Sequence, residues 1–311
     1  AGARRRRAPL HDPAAAPGRP LIGLAAVPAA SLANRAVAYL ESGPAASAAL
    51  LRDVLGLARA PRRVADQDAR SLVGDDPRVV RIEDGRWALA PALAGDPPLD
   101  ACRFAVVDVE TTGRHPGRGG RIMEIAVVDV RGRAVRPAFE TLVDPQAPVS
   151  PFAARLTGIS AAALRGAPTF AGIADGLVSA LAGAVFVAHN ARFDWMFLSA
   201  ELERDRGVLL QGPRLCTLRL SRRLVKDVAG RRLDRLTDYF GIPNRARHRA
   251  GGDAEATALL LVRLLDLARE RGAVTLGDLM ATRNAERGTR NSTPELAASV
   301  PRSAFPLPRS S

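Results

Sequence analysis

The chain has 311 residues, 47% of them hydrophobic and 25% charged, with a formal net charge of +13. That length and apolar content suffice for one large or two modest cores and exclude disorder throughout. No apolar run approaches the roughly eighteen residues needed to cross a bilayer, since residues 21–33 are broken by Gly23 and Pro28, so a soluble protein without membrane contact is expected.

Residues 1–20 carry five Arg against Asp12, and residues 281–311 carry five Arg against Glu286 and Glu295. Both segments are rich in Ala, Pro, Ser, Gly and Arg without periodicity, which predicts flexible tails. Residues 21–33 following Arg4, Arg5, Arg6 and Arg7 imitate a secretory signal, but His11, Asp12, Pro13, Pro17 and Pro20 interrupt it. Cys102 and Cys216 are too few for a disulfide framework or a zinc cluster, so a reducing, cytoplasmic setting is expected.

Helical periodicity then recurs three times, in Ala36, Val37 and Leu40, in Leu50, Leu51, Val54 and Leu55, and in Val64, Ala65, Ala69, Leu72 and Val73. A hairpin follows from Val79, Val80 and Ile82 through Asp84-Gly85 to Trp87 and Leu89, because Asp-Gly supplies the positive φ angles of a tight primed turn. Three short helices and a two-stranded ribbon predict a small winged-helix-like domain over 21–95. Its third helix, introduced by Arg59, Arg62 and Arg63, is a candidate for a nucleic-acid groove. The domain's net charge of only +1 leaves protein docking or a purely structural role open.

Gly95, Pro97 and Pro98 mark a linker, and a second domain is predicted over 96–280. Apolar runs at 103–109, 121–130 and about 134–143 predict an antiparallel meander. Helices are expected over about 152–164 and 170–182, a strand over 184–188, a helix from Asp194, and late helices over about 233–240 and 253–270. Strands first and strands alternating with helices later indicate an α/β fold, a mixed sheet flanked by helices.

Asp108 and Glu110 stand two apart at the end of the first strand of this domain and so share a face, where their repulsion calls for a cation such as Mg²⁺ or Mn²⁺. Alone, the pair also fits a solvated turn. Asp194 precedes a helix whose core face is Trp195, Leu198 and Leu202, and reads equally as its N-cap. Asp253 follows His248 by five residues in the first turn of the last long helix, where the helix dipole favours a carboxylate. Residues 214–249 hold eleven basic residues against Asp227, Asp234 and Asp238. Within them Arg222, Arg223, Arg231 and Arg232 are candidates to track the phosphates of a single strand; a solvated face is the alternative.

In combination, Asp108-Val109-Glu110-Thr111, His189-Asn190-Ala191-Arg192-Phe193-Asp194 and His248-Arg249-Ala250-Gly251-Gly252-Asp253 resemble the signatures of the DEDDh (DnaQ-like) exonucleases, a family that includes the proofreading epsilon subunit of bacterial DNA polymerase III. Arg121-Ile122-Met123-Glu124-Ile125 and Leu156-Thr157-Gly158-Ile159 are similar to the family as well. The sister group carries Tyr where Arg249 stands, which favours the His version.

The resemblance implies a ribonuclease H-like fold and a 3′ to 5′ exonuclease releasing nucleoside monophosphates from a single-stranded 3′ end of DNA, in proofreading or repair. It also implies two Mg²⁺ or Mn²⁺ ions held by Asp108, Glu110, Asp194 and Asp253, with His248 as general base. Thr111, Thr112 and Asn190 are the expected contacts to the terminal nucleotide, with His189 as a buttress, and a DNA polymerase catalytic subunit is the candidate protein partner. RNA trimming, or a nucleic-acid-binding regulator that keeps the nuclease fold as a scaffold, are the alternatives.

Overall fold

The computed structural model describes residues 23–41, 43–57, 61–90, 96–244 and 246–280. The tails expected at 1–20 and 281–311, together with Arg59 and Gly95, lie outside the described residues. Strand β1 (Ala25–Pro28) comes first, then helices α1 (Leu32–Leu40), α2 (Ser47–Leu55) and α3 (Arg62–Val73), and strands β2 (Val79–Arg81) and β3 (Trp87–Leu89). Ser31 starts α1 by accepting the Asn34 N–H, and Gly56 at φ +72 closes α2. The three apolar stripes merge into one small core that includes Val37, Leu40, Leu50, Leu51, Ala69, Val73 and Trp87. The Trp87 indole N–H donates to Ser47 Oγ at 3.0 Å, so its polar edge is satisfied inside that core. β2 and β3 pair antiparallel, but the connection is not the tight primed turn expected: Gly85 has φ +79 while Asp84 is not left-handed, and the Gly85 N–H donates to Ile82 O at 2.8 Å.

Strands β4 (Arg103–Thr111), β5 (Ile122–Arg131) and β6 (Ala134–Leu142) form the expected antiparallel meander. Helix α4 (Pro151–Thr157), helix α5 (Ala161–Leu164) and helix α6 (Phe170–Leu181) follow. One helix was expected over 152–164; it is two, because Gly158 at φ +71 ends α4 and Ser160 opens α5 by accepting the Ala163 N–H. Strand β7 (Val185–Ala188) returns parallel to β4. Helix α7 (Arg192–Arg206), strand β8 (Val208–Gln211), strand β9 (Arg214–Cys216), and helices α8 (Thr217–Leu224), α9 (Leu233–Phe240), α10 (Ala250–Glu270) and α11 (Leu276–Met280) complete the described chain.

The sheet order β6-β5-β4-β7-β9 puts β4 at the centre. Alternation along β4 sends Phe104 and Val106 into a core with Leu260, Leu261 and Leu264 of α10, and Ala105, Val107 and Val109 into a core with α6 and α7. A strand covered on both faces reads as a continuous apolar run, which is why residues 103–109 did. No helix among the described residues is long and apolar enough to cross a membrane.

The first residues of the predicted small domain belong elsewhere. β1 pairs antiparallel with β8, and Leu24 is buried in the core beneath α6 and α7, so this segment joins the second domain's fabric. Leu24 donates to Ala184 O at 2.7 Å and accepts from Gly183 N at 2.9 Å. Buried Gln211 completes the junction, accepting from Arg78 Nη1 at 3.1 Å and donating to Asn34 O at 2.9 Å. Gly23 lies so close to this seam that an added Cβ would sit 2.1 Å from the Gly183 carbonyl carbon. Gly23→Ala is therefore expected to cost about 1–3 kcal/mol of unfolding free energy in urea titrations, and an unchanged midpoint would contradict this close packing.

Candidate active site

β4 positions the first two acids. Asp108 and Glu110 point to the face covered by α10, and the ladder with β5 shifts register between Glu110 and Thr111, so the strand breaks its pairing at the site. Asp253 lies in the first turn of α10, and one carboxylate oxygen from each of Asp108, Glu110 and Asp253 falls within 4.8 Å of the others. Asp194 is not the N-cap that the sequence allowed. Ala191 occupies that position without a side-chain cap, and Asp194, at the third residue of α7, is 4% exposed and accepts backbone hydrogen bonds from its own amide and from Val109. Turning inward from the helix cap brings its charge next to Asp108.

Burial, then the neighbouring acids Asp194, Glu110 and Asp253, pushes Asp108 well above the usual carboxylate range. Burial and the charges of Asp253, Glu124 and Asp194 push Glu110 up to about 8, against a partial offset from Arg249. Burial raises Asp194 to about 7. Acids this crowded, offering carboxylate oxygens, fit hard divalent cations.

The loop before α10 is tightly held. His248 has φ +59, an uncommon conformation outside glycine, and its N–H donates to Asp253 Oδ2 at 3.1 Å, leaving the imidazole side exposed. Asn244 Nδ2 donates to the other oxygen, Oδ1, at 2.6 Å. Gly251 and Gly252 are helical and are there for closeness: a Cβ would lie 2.4 Å from Glu140 Oε1 at the first and 2.4 Å from Ala246 O at the second. Asn244 gave no sequence signal. Glu124 did, as a charged residue among the apolar positions of β5.

The remaining candidates divide. Asn190 is exposed at φ +74 in the turn between β7 and α7, and half-buried Thr111 donates to Gly113 O at 2.7 Å. Thr112 is buried, and its hydroxyl accepts the Arg121 N–H at 2.9 Å, so it builds the loop after β4. His189 was expected to brace Asn190 or the acids. Its Nε2 lies 2.9 Å from Arg231 O, an acceptor only, which makes Nε2 the donor there, and its Nδ1 lies 2.9 Å from Thr217 Oγ1. His189 thus ties the end of β7 to the start of α8 and to the segment before α9. Arg222 and Arg232 are exposed, but Arg223 donates to Leu279 O at 2.9 Å and Arg231 to Val225 O at 2.6 Å and to Val228 O. Half of the expected phosphate track is thereby engaged with backbone carbonyls.

A mixed sheet whose central strand ends in acids that converge with those of two helix starts is the framework of a nuclease domain. Residues 105–261 match the exonuclease family RNase_T, half of the chain, and the protein belongs to that family. It is similar to the DNA polymerase III subunit epsilon-like protein of Rhodobacter capsulatus, at 37% identity over 221 residues, 67% of this chain and 31% of the relative. It is similar to the 3′-5′ exonuclease DinG of Bacillus subtilis, at 34% identity over 57% of this chain and 19% of that one. It also resembles the PolC-type DNA polymerase III of Caldanaerobacter subterraneus, at 35% identity over 57% of this chain and 12% of that one. The matches span less than a third of the length of each of these curated relatives. Among solved structures, exonuclease X in complex with 5′ overhanging duplex DNA aligns with 53% of this chain and 91% of that one, at 29% identity and a TM-score of 0.43.

An acid whose folded pKa is raised binds its proton more tightly folded than unfolded. Its stabilising contribution is complete below the ordinary value, 4.5 for Glu110 and 3.8 for Asp194, and is lost as pH rises through about 8 and about 7 respectively. In EDTA the melting temperature is therefore expected to fall between about pH 5 and about pH 8.5, to recover at the higher pH on adding Mg²⁺ or Mn²⁺, and to vary less in Asp108→Asn. A metal-free melting temperature that is flat across this range would contradict the crowded-acid picture.

Proposed function

We propose that the chain is a metal-dependent 3′ to 5′ exonuclease that shortens single-stranded 3′ ends of DNA to nucleoside monophosphates, acting in cytoplasmic proofreading or repair. The convergence of Asp108, Glu110 and Asp253 within 4.8 Å, with buried Asp194 beside them, carries this reading. In it, Asp108, Glu110, Asp194 and Asp253 hold two Mg²⁺ or Mn²⁺ ions. Such ions supply positive charge to the phosphodiester oxygens and make water easier to deprotonate.

His248 takes the proton of the attacking water, a role supported by its exposure and by its backbone N–H, which ties the residue to Asp253. Thr111 and Asn190 contact the terminal nucleotide, and Arg222 and Arg232 attract the incoming strand without reading its sequence. The names of the relatives support a DNA substrate and a polymerase catalytic subunit as partner. The order of three helices and a two-stranded ribbon supports a winged-helix-like identity for the small N-terminal unit, with nucleic acid as its candidate ligand.

End-labelled single-stranded DNA and RNA, each with and without Mg²⁺, test the reading directly. Metal-dependent shortening of DNA from the 3′ end is expected. Faster shortening of RNA would transfer the assignment to RNA trimming, and no shortening of either would favour the scaffold alternative. Asp108→Ala is expected to be inactive, and His248→Ala to lose about a hundredfold in kcat with strand affinity nearly intact; a fall in affinity at unchanged kcat would contradict the base role.

Neutralising Arg222 and Arg232 together is expected to weaken strand binding and to reduce the log–log salt slope by about one to two. Replacing Arg231 is expected instead to lower the melting temperature, since its carbonyl partners lose their donor. A salt slope unchanged in the first variant would remove these side chains from the strand path.

A further inference from the structure

We propose that Arg249 is a positioning residue, which acts through Glu124 to fix His248 and the first turn of α10 against the metal-holding acids; this rests on the reading of His248 as general base. Glu124 stands on β5 directly opposite Glu110 in the ladder and is 1% exposed. It adds another carboxylate to a neighbourhood that already holds Asp108, Glu110, Asp194 and Asp253, and a buried charge is kept only where donors surround it.

The donors all come from the two residues that follow His248. Arg249 gives Nη2 at 2.6 Å and Nε at 3.0 Å to Oε1, and Nε at 3.1 Å to Oε2, while the Ala250 N–H gives 2.9 Å to Oε2. His248, in its left-handed conformation, is therefore held from both sides: its own N–H is drawn to Asp253, and the next two residues are anchored to β5. Gly252 leaves this turn little slack, since an added Cβ there would lie 2.4 Å from the Ala246 carbonyl oxygen. Glu110 and Glu140 are the other acids near the guanidinium. The fork geometry matters as well as the charge, because an ammonium group cannot give two parallel hydrogen bonds to one carboxylate.

The test compares wild type, Arg249→Lys, Arg249→Met, Glu124→Gln, the double variant Arg249→Met/Glu124→Met, and His248→Ala, on a single-stranded DNA oligonucleotide with saturating Mg²⁺. Misplacing the base predicts a kcat loss of about a hundredfold in Arg249→Met and in Arg249→Lys, with KM for the strand within about threefold of wild type. Glu124→Gln is expected to fall in kcat in the same direction. The double variant separates folding from positioning: removing both charges returns the melting temperature towards wild type, because no buried carboxylate is left unpaired, while kcat stays low. Wild-type kcat in the double variant, or a raised KM at unchanged kcat in the single variants, would overturn the proposal, the second outcome making Arg249 a phosphate contact. His248→Ala keeping full kcat would sink the base reading and this role with it. His248→Ala losing kcat while Arg249→Met keeps it would sink the positioning role alone.

Discussion

Carboxylates crowded into a pocket floored by a hydrophobic sheet are poorly solvated and repel one another, so they stay together only on backbone that cannot yield. Each acid here sits on such a segment. Asp108 and Glu110 stand on the central strand, which is covered on both faces, and Asp194 and Asp253 stand in the first turns of α7 and α10, where helix N-termini offset negative charge. The raised proton affinities of Asp108, Glu110 and Asp194 come first from burial, with repulsion between the acids adding to it at Asp108 and Glu110. A cation relieves it, and the same stored repulsion makes the site select for one.

That demand for rigidity extends to the small N-terminal unit. Glu41, at the end of α1, is pushed up to about 7 by burial, against the opposing pull of Arg214 and the Gly212 N–H. Arg214 in turn lies 4.5 Å over the ring of Trp195, which meets Phe186 edge-on at 5.0 Å between centroids. Trp195 follows Asp194 directly. Together with the β1–β8 pair and the Gln211 hydrogen bonds, these contacts seat the unit on the outer edge of the layer that carries α7. Its seating therefore bears on the start of the helix that delivers the fourth acid.

Strands β2 to β7, most helices and the candidate acids were legible in the sequence, because period-two and helical patterns report burial and because Asp108, Glu110, His248 and Asp253 fall at fixed local spacings; the short strands β1, β8 and β9 and helix α8 were not expected. Residues 152–164 were read as one helix from their apolar spacing, although Gly158 and Ser160 are a helix stop and a helix start and divide the segment. The assignment of residues 23–29 failed for a different reason. Pairing between β1 and β8, from Ala25 with Gln211 to Pro28 with Val208, joins segments far apart in the chain, and local periodicity carries no information about such partners. Asn244 was invisible on the same ground, as a polar loop residue whose role exists only once Asp253 stands opposite it.

The arginine excess was the least decipherable feature, and the fold shows what part of it does. Helix C-termini leave carbonyls without intrahelical donors, and they attract cations. Arg103 donates to Ala180 O at 2.6 Å and Ala182 O at 2.9 Å at the end of α6. Arg271 donates to Leu224 O at 2.7 Å at the end of α8, and Arg223 to Leu279 O at 2.9 Å near the end of α11. The planar guanidinium, with donors along several edges, suits this task where a single ammonium point charge does not. A count of basic residues thus overstates the charge offered to a polyanion: Arg223 and Arg231 contribute to the long-range field but give their donors to carbonyls. Side chains such as Arg219, Arg222, Lys226, Arg232 and Arg235 remain exposed and border the same loops that His189 ties to the end of β7. Substitutions of these arginines therefore divide according to whether the guanidinium serves the fold through backbone carbonyls, as at Arg223 and Arg231, or lies exposed, as at Arg222.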